Sequence, residues 1–171
     1  MVQKERYDLH ENSEDNRGYL AYFQRFLDSV LPYVSDAKNA LDFGCGRSSL
    51  LAKMLTKEGI VCDYYDPIYH PDGLVNTKKY DLIVSTEVFE HLHHPKAVFE
   101  DLVQRLNPQG YLALQTEFHP RTVTLFKQWY YHKDPTHIAF FTPQSFEVLS
   151  LLFQCKVVAH NSKNIIIIQK V

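Results

Sequence analysis

The run Ala40-Leu41-Asp42-Phe43-Gly44-Cys45-Gly46-Arg47-Ser48-Ser49-Leu50-Leu51 constrains this chain more than any other stretch. An apolar strand ends in a Gly-x-Gly turn and runs straight into a helix. Without a Cβ on either glycine the backbone bends sharply, and a flat or charged ligand can lie against the main-chain N–H groups at the helix start. The same pattern also serves as a plain tight connection, so its meaning is decided by the rest of the chain.

Upstream, Leu20, Phe23, Leu27, Val30 and Leu31 recur at helical spacing from Gly18, and Pro32 closes the pattern. Residues 1–17 are polar and are expected to form an arm carrying the hydrogen-bonding cluster Tyr7-Asp8-Leu9-His10. Downstream, Ser48 or Ser49 is expected to cap a helix that buries Leu50, Leu51, Met54 and Leu55 and ends at Gly59. Strand two, Ile60 to Tyr65, ends in Asp66-Pro67, and a third strand around Leu74-Val75-Asn76 is short or missing. Tyr80 to Thr86 reads as the fourth strand. Pro95 opens a helix with Val98, Phe99, Leu102, Val103 and Leu106 on one face, Asn107-Pro108-Gln109-Gly110 stops it, and Tyr111 to Thr116 is the fifth strand. Thr142-Pro143 starts a last helix over Ser145 to Phe153. The strands Lys156 to His160 and Asn164 to Gln169 are then close enough to pair as an antiparallel hairpin.

Strand and helix alternating at this rhythm predict an α/β fold. The sheet is doubly wound, mostly parallel and Rossmann-like, joined by right-handed crossovers and closed by that hairpin. Ligands of such sheets sit beyond the strand C-termini, where Gly44, Gly46, Asp66 and Glu87 all fall. An acid about 20 residues past the glycine turn, at the tip of the second strand, is placed to accept from ribose hydroxyls; Asp66 fits and the mid-strand Asp63 does not. With 171 residues and 45% apolar content the chain is read as a single domain, 1–171. A net charge of −2 with no basic stripe disfavours a nucleic-acid partner. The longest apolar run, Ile165 to Ile168, is too short to span a bilayer, and the first residues have no signal-peptide core, so a cytoplasmic protein with no membrane partner is expected. Cys45, Cys62 and Cys155 include no Cys-x-x-Cys pair and are expected to be free thiols.

Taken together, Leu41-Asp42-Phe43-Gly44-Cys45-Gly46, Tyr65-Asp66-Pro67, Tyr80-Asp81-Leu82-Ile83, Glu87-Val88-Phe89-Glu90-His91-Leu92 and Leu106-Asn107-Pro108-Gln109-Gly110 resemble the class I S-adenosylmethionine-dependent methyltransferases. The resemblance runs from about Gly18 to the end of the chain, and the closing hairpin suits that family's reversed last strand. Tyr7-Asp8-Leu9-His10 and Tyr131-His132-Lys133-Asp134-Pro135-Thr136-His137 further resemble a group of small stand-alone bacterial members. The resemblance implies S-adenosyl-L-methionine as cofactor, held at Asp42, Gly44, Cys45 and Gly46, with Asp66 on the ribose and Glu87 and Val88 lining the pocket. It implies methyl transfer to an oxygen, a nitrogen or a carbon of an acceptor, expected to be a small molecule or a carrier-bound intermediate, although an exposed mouth would also admit a macromolecule. Arg47-Ser48-Ser49 departs from the glycine-containing sequence usual after the turn, and no acid is clearly placed for adenine.

Methyl transfer from a sulfonium needs positioning and, for an acceptor that carries a proton, a base near neutrality. Histidine is suited to that role. His91 follows Glu87 and Glu90 at the mouth of strand four. Glu-x-x-Glu-His resembles the metal-binding element of small-RNA 2′-O-methyltransferases and some ubiquinone-pathway O-methyltransferases, although the reading adopted assigns no metal. The insert 117–141 is rich in aromatics and is expected to form the acceptor pocket, with Trp129 and Tyr130 as an apolar wall, His132 in contact with substrate, and Asp134 orienting His137 as base. His10 is a third, weaker candidate. Competing readings are a catalytically idle module that binds the cofactor, a metal-assisted enzyme acting on a macromolecule, and a nicotinamide oxidoreductase, which the missing third glycine and the closing hairpin oppose.

Overall fold

The computed structural model of the chain describes residues 17–74 and 77–171. Helix α1 (Arg17–Val30) leads through a 3-10 turn (Leu31–Tyr33) into β1 (Asn39–Phe43). Then come α2 (Leu50–Lys57), β2 (Val61–Tyr65), β3 (Tyr80–Thr86), α3 (Pro95–Arg105), β4 (Leu106–Gln115), the short α4 (Val123–Gln128), α5 (Pro143–Leu152), β5 (Cys155–His160) and β6 (Ile165–Lys170). The strands form one sheet in the order β2-β1-β3-β4-β6-β5. β2, β1, β3 and β4 are parallel, and β6 runs antiparallel to both β4 and β5. This is the expected doubly wound sheet with its terminal hairpin.

The period of two in each strand builds two cores at once. Ala40, Leu82, Val84, Ala113, Ile165 and Ile167 pack against Phe23, Phe26, Leu27 and Val30 of α1 and Leu50, Leu51, Met54 and Leu55 of α2. The alternate residues Leu41, Ile83, Leu112, Leu114, Ile166 and Ile168 pack against Phe99, Leu102 and Val103 of α3 and Phe146 of α5. Strands apolar on both faces are what a sheet covered by helices on both sides requires. All four parallel strands therefore deliver their C-terminal ends, and the loops that follow, to one edge.

Local departures from the sequence reading have identifiable causes. Neither serine caps α2: Ser49 sits in the left-handed region at φ 44, and its hydroxyl turns back onto the Ser48 carbonyl at 2.8 Å. The other end of α2 does close as expected. The Ile60 and Gly59 amides donate to Leu55 and Thr56, and Gly59 takes φ +88, which a glycine adopts without steric cost. β4 starts directly at Leu106. Tyr80 pairs with Leu106 and Leu82 with Tyr111, so Asn107-Pro108-Gln109-Gly110 bulges out of the ladder instead of preceding it. In the hairpin, Asn161 Oδ1 accepts from the amides of Lys163, Asn164 and Ile165 at 2.8–2.9 Å, a side-chain turn that fixes the register. Leu74 lies in no strand. The remainder of the expected third strand, residues 75 and 76, and the arm with Tyr7, Asp8, Leu9 and His10 lie outside the described residues. The three cysteines are free, and no helix among the described residues is long and apolar enough to cross a membrane.

Both cores are fully dry at their centres, where Phe99 is 0% exposed, whereas Leu151 on the outer face of α5 is 81% exposed. Phe99→Ala should lower the unfolding free energy by about 3–5 kcal/mol through lost burial and a residual cavity. Leu151→Ala should change it by less than about 0.5 kcal/mol. Urea denaturation of the two variants side by side checks the ordering.

Candidate active site

The site begins at the turn after β1. Gly44 takes φ +81 and Gly46 φ +64. The amides of Gly44 and Cys45 both donate to the Tyr65 carbonyl, at 2.8 and 3.1 Å, and the Gly46 amide donates to Asp66 Oδ2 at 3.1 Å. Asp66 Oδ1 accepts from Ile68 and Tyr69 at 2.8 and 3.1 Å. The expectation that these turn amides face a ligand is thus corrected: β2 and Asp66 engage them. A carboxylate has about four lone-pair sites, so three protein amides leave room for one more donor. A Cβ added at Gly44 would run into Cγ2 of Val88, so Val88 itself covers that face of Gly44. Gly44, Cys45, Gly46, Asp66 and Val88 therefore converge at the ends of β1, β2 and β3, as the sequence spacing anticipated.

Asp42 lies beneath this turn and is 1% exposed. Burial pushes its carboxyl up to about 7, against a hydrogen bond from Ala52 and with a further upward contribution from the charge of Asp66. Burial, together with the charge of Asp42, also pushes up the thiols of Cys45 and Cys62, which makes them poor nucleophiles.

The second half of the site is built around the turn after β3. Glu87 is held at φ 54, a left-handed conformation unusual for a residue with a side chain. Its amide donates to the Gln115 carbonyl of β4 at 2.9 Å. One carboxylate oxygen accepts from the Tyr22 hydroxyl of α1 at 2.7 Å and the other from Tyr131 of the insert at 2.9 Å. The Tyr131 hydroxyl also meets Glu90 Oε1 at 2.5 Å. Glu90 is 0% exposed and its Oε2 has no hydrogen-bond partner. Burial and the neighbouring Glu90 push Glu87 up to about 7, and burial raises Glu90 as well.

The insert is fastened to this turn by main chain: the amides of Ile138 and Ala139 both donate to the Glu90 carbonyl, at 2.8 and 3.1 Å. That docking lays the His137 ring 4.8 Å from the His91 ring and 4.0 Å from the Tyr131 ring. His91 Nδ1 lies 2.9 Å from the Thr136 carbonyl and His137 Nδ1 lies 2.7 Å from the Tyr131 carbonyl. A carbonyl only accepts, so each ring holds its N–H at Nδ1 and leaves a lone pair on Nε2. Burial lowers the pKa of His91, which favours its neutral form. The ring orientation expected from Asp134 is supplied instead by the Tyr131 carbonyl. Asp134 shapes the turn, its Oδ1 accepting from the amide and hydroxyl of Thr136 at 2.9 and 2.7 Å.

Elsewhere in the insert, Trp129 packs with Phe126, Phe140 and Tyr131, and His132 lies on Phe126 with ring centroids 4.9 Å apart. Tyr130, paired with Trp129 in the sequence reading, points outward at 66% exposure and meets the edge of Tyr131. The Glu-x-x-Glu-His element is also rearranged. Glu90 and His91 are joined by His137, with donor atoms all within 4.8 Å of one another, while both oxygens of Glu87 go to tyrosines. Sequence reasoning missed Tyr22, which it took only as part of an amphipathic helix, and the bridging role of Tyr131. Tyr22 has no local motif to betray it, and the run Tyr131 to His137 does not by itself reveal that the phenol bridges two acids.

A family model described as a methyltransferase domain matches residues 13–160. No curated protein sequence matches the chain. Among solved structures, an O-methyltransferase family protein from Burkholderia thailandensis superposes with a TM-score of 0.69 at 15% identity, covering 98% of this chain and 62% of that one. The chain thus spans under two thirds of that protein's length. The magnesium protoporphyrin IX methyltransferase of Synechocystis, with bound S-adenosylhomocysteine, gives 0.65 at 14% identity, over 99% of this chain and 94% of that one. A 1,6-didemethyltoxoflavin-N1-methyltransferase from Burkholderia thailandensis, with its substrate and S-adenosylhomocysteine bound, gives 0.72 at 11% identity, over 99% and 87%. At these identities the likeness is one of fold.

The buried carboxyl of Asp42 has a measurable consequence. Its folded pKa of about 7 lies above its ordinary 3.8, so the stability it contributes is complete below about pH 4 and is lost as pH rises through 7. Asp42→Asn carries no charge at any pH and should remove this loss, at most about 1.4 kcal/mol per pH unit, while the part due to Glu87 remains. Urea denaturation at pH 5, 6.5 and 8 should show stability falling less steeply with pH in the variant; equal slopes would contradict the assignment.

Proposed function

The chain belongs to the methyltransferase-domain family, and from that premise we propose that it moves the methyl group of S-adenosylmethionine onto a nitrogen or oxygen of a small-molecule acceptor. The observation that carries the reading is the turn in which Gly44 and Gly46, both at positive φ, set the chain against the Asp66 carboxylate, which has a lone pair to spare. Buried polar atoms without partners at the same edge of the sheet, Ser48 Oγ, Ser85 Oγ and Gln115 Oε1, suit an adenosyl and methionine moiety that would satisfy them. Bound there, the cofactor supplies an electrophilic methyl group on a sulfonium and needs no covalent enzyme intermediate. Asp66 accepts from the ribose, Gly44, Cys45 and Gly46 lie against the methionine end, and Val88 with the Glu87 backbone closes the wall. Asp42 supports the turn from below.

On the acceptor side His137 is the base. Its Nε2 carries the free lone pair, and removing a proton from the acceptor is its contribution, typically worth about 10²–10⁴ in rate. His91, neutral and fixed by Thr136, positions it through ring contact. Trp129 and Tyr130 flank the acceptor and His132 contacts it. The remaining acceleration comes from orientation. Calorimetry checks the cofactor half without knowledge of the acceptor. S-adenosylhomocysteine should bind and NAD should give no heat. Gly44→Ala, which both strains the backbone and strikes Val88, should weaken S-adenosylhomocysteine binding by more than about tenfold. Heat with NAD alone would overturn the reading.

One observation favours a second reading, metal-assisted transfer to an oxygen. Two histidines that hold their Nδ1 protons on backbone carbonyls and aim Nε2 toward a buried carboxylate are arranged as metal-ligating histidines are. Glu90, His91 and His137 would hold the ion, a donor set suited to a divalent transition metal. Under this reading Mn²⁺ raises the melting temperature of the protein and fails to do so in His137→Ala; an unchanged melting temperature in both leaves the histidine as base.

A further inference from the structure

The charges around Glu87 are unbalanced. Among the described residues no lysine or arginine pairs with Glu87 or Glu90; Glu90 is fully buried with His91 Nε2 3.9 Å from its Oε1, and Glu87 is half-buried. A third acid, Glu117, stands at the same mouth, held by the Asn164 amide at 3.2 Å, and it raises the pKa of both Tyr22 and Tyr130. The charge of Lys163 partly offsets that of Glu117. Two phenols contact these acids: Tyr22 and Tyr131 donate to Glu87, while the charge of Glu87 also raises the pKa of Tyr19 and Tyr130. Glu90 Oε2, fully buried and without a partner, is a further unmet acceptor in the cluster.

Burying carboxylates without a counter-charge is costly, and the complement they call for is a cation. Tyrosine rings add attraction for an ammonium group, because the ring face is electronegative. Resting on the reading of the previous subsection, we propose that the methyl acceptor is a cationic amine, taken up as an ammonium group between Glu87, Glu117 and the tyrosines of α1 and the insert. The chemistry of transfer points the same way. The bound ammonium gives one N–H proton to Nε2 of His137. The freed nitrogen lone pair then forms the N–C bond, while the C–S bond breaks and its electrons pass to sulfur. The positive charge leaves sulfur and appears on nitrogen, where the acids and phenols stabilise it. An alkoxide or phenolate acceptor would instead bring a negative charge beside three carboxyls, which opposes its formation.

The test uses choline as a quaternary-ammonium probe, with EDTA throughout to keep divalent ions out. Binding is measured calorimetrically with and without saturating S-adenosylhomocysteine, which lacks the sulfonium charge. Choline is expected to bind at least about tenfold more tightly than its neutral isostere, in which carbon replaces the quaternary nitrogen. Glu117→Gln and Tyr130→Leu, both at the partly exposed rim, are expected to reduce choline affinity by about fivefold or more, on the scale of one exposed cation contact. Equal binding of choline and the isostere, no choline binding at all, or choline affinity unmoved by both variants would overturn the proposal. Absence of S-adenosylhomocysteine binding would overturn the cofactor reading instead, and the choline comparison without it would still decide the amine site.

Discussion

One phenolic proton lies between two acids, Glu90 fully buried and Glu87 half-buried. The Tyr131 hydroxyl approaches both Glu87 Oε2 and Glu90 Oε1, yet it has a single hydrogen to donate. The second contact therefore needs a proton on one of the carboxyls. Burial supplies the conditions for that by raising the pKa of both. This shared proton matters beyond its own strength, because the acids belong to the turn after β3 and the phenol belongs to the insert. With the Ile138 and Ala139 amides on the Glu90 carbonyl, it holds a long irregular segment against the end of the sheet. The placement of His137 beside His91 follows from that attachment.

The scaffold beneath is stiff for a different reason. β1, β3 and β4 are apolar on both faces, so a slip of one residue in any of them would exchange the contents of two cores at once. That rigidity delivers the Gly44 turn, Asp66 and Glu87 to one edge with fixed spacing. Cost is accepted at a few positions there: Glu87 and Ser49 in left-handed backbone, Asp42 buried with an unpartnered oxygen. Strain of this kind is often kept where a protein holds ligands, although Gln109, Gln154 and Ser162, at the β4 bulge, the end of α5 and the closing hairpin, adopt the same backbone region.

How much of this could be read from the sequence depended on whether the signal was local. The strand-turn-helix at Ala40 to Leu51, the acid at the end of β2 and the closing hairpin are each written in a few consecutive residues, and each was found. Ser48 and Ser49 were misread because capping propensity does not reveal a left-handed φ. The bulge over Asn107 to Gly110 was read as a break because propensity sees Asn-Pro-Gln-Gly as a stop and cannot see that Leu106 already pairs with Tyr80. In the site, the residues of the Glu-x-x-Glu-His run were legible but their partners were not. Tyr22 lies 65 positions from Glu87, and Tyr131 lies 44. Such contacts are set by where α1 and the insert come to rest, which no local pattern records. The same limit explains the role expected of Asp134: a carboxylate three residues from a histidine suggests a pair, whereas the turn satisfies that carboxylate at Thr136 and offers the ring a carbonyl.

The distribution of charge then connects the two halves of the site. A carboxylate near the sulfonium strengthens binding of the ground state and does nothing for the rate if it binds the transition state equally well. Acids accelerate transfer only when the positive charge, on leaving sulfur, arrives somewhere they stabilise better. Asp66 is committed to three backbone amides at the glycine turn, while Glu87 and Glu90 share the Tyr131 hydroxyl at the turn after β3 and Glu117 lies just beyond β4. Under the proposed function that asymmetry would put the electrostatic pull downstream of the methyl group. It would favour a reaction in which the cation is passed on to nitrogen rather than annihilated on an oxyanion. Holding Glu87 partly protonated through Tyr131 limits the repulsion within the cluster until a cation enters it, so the structural device that fixes the insert also prepares the site electrostatically for its substrate.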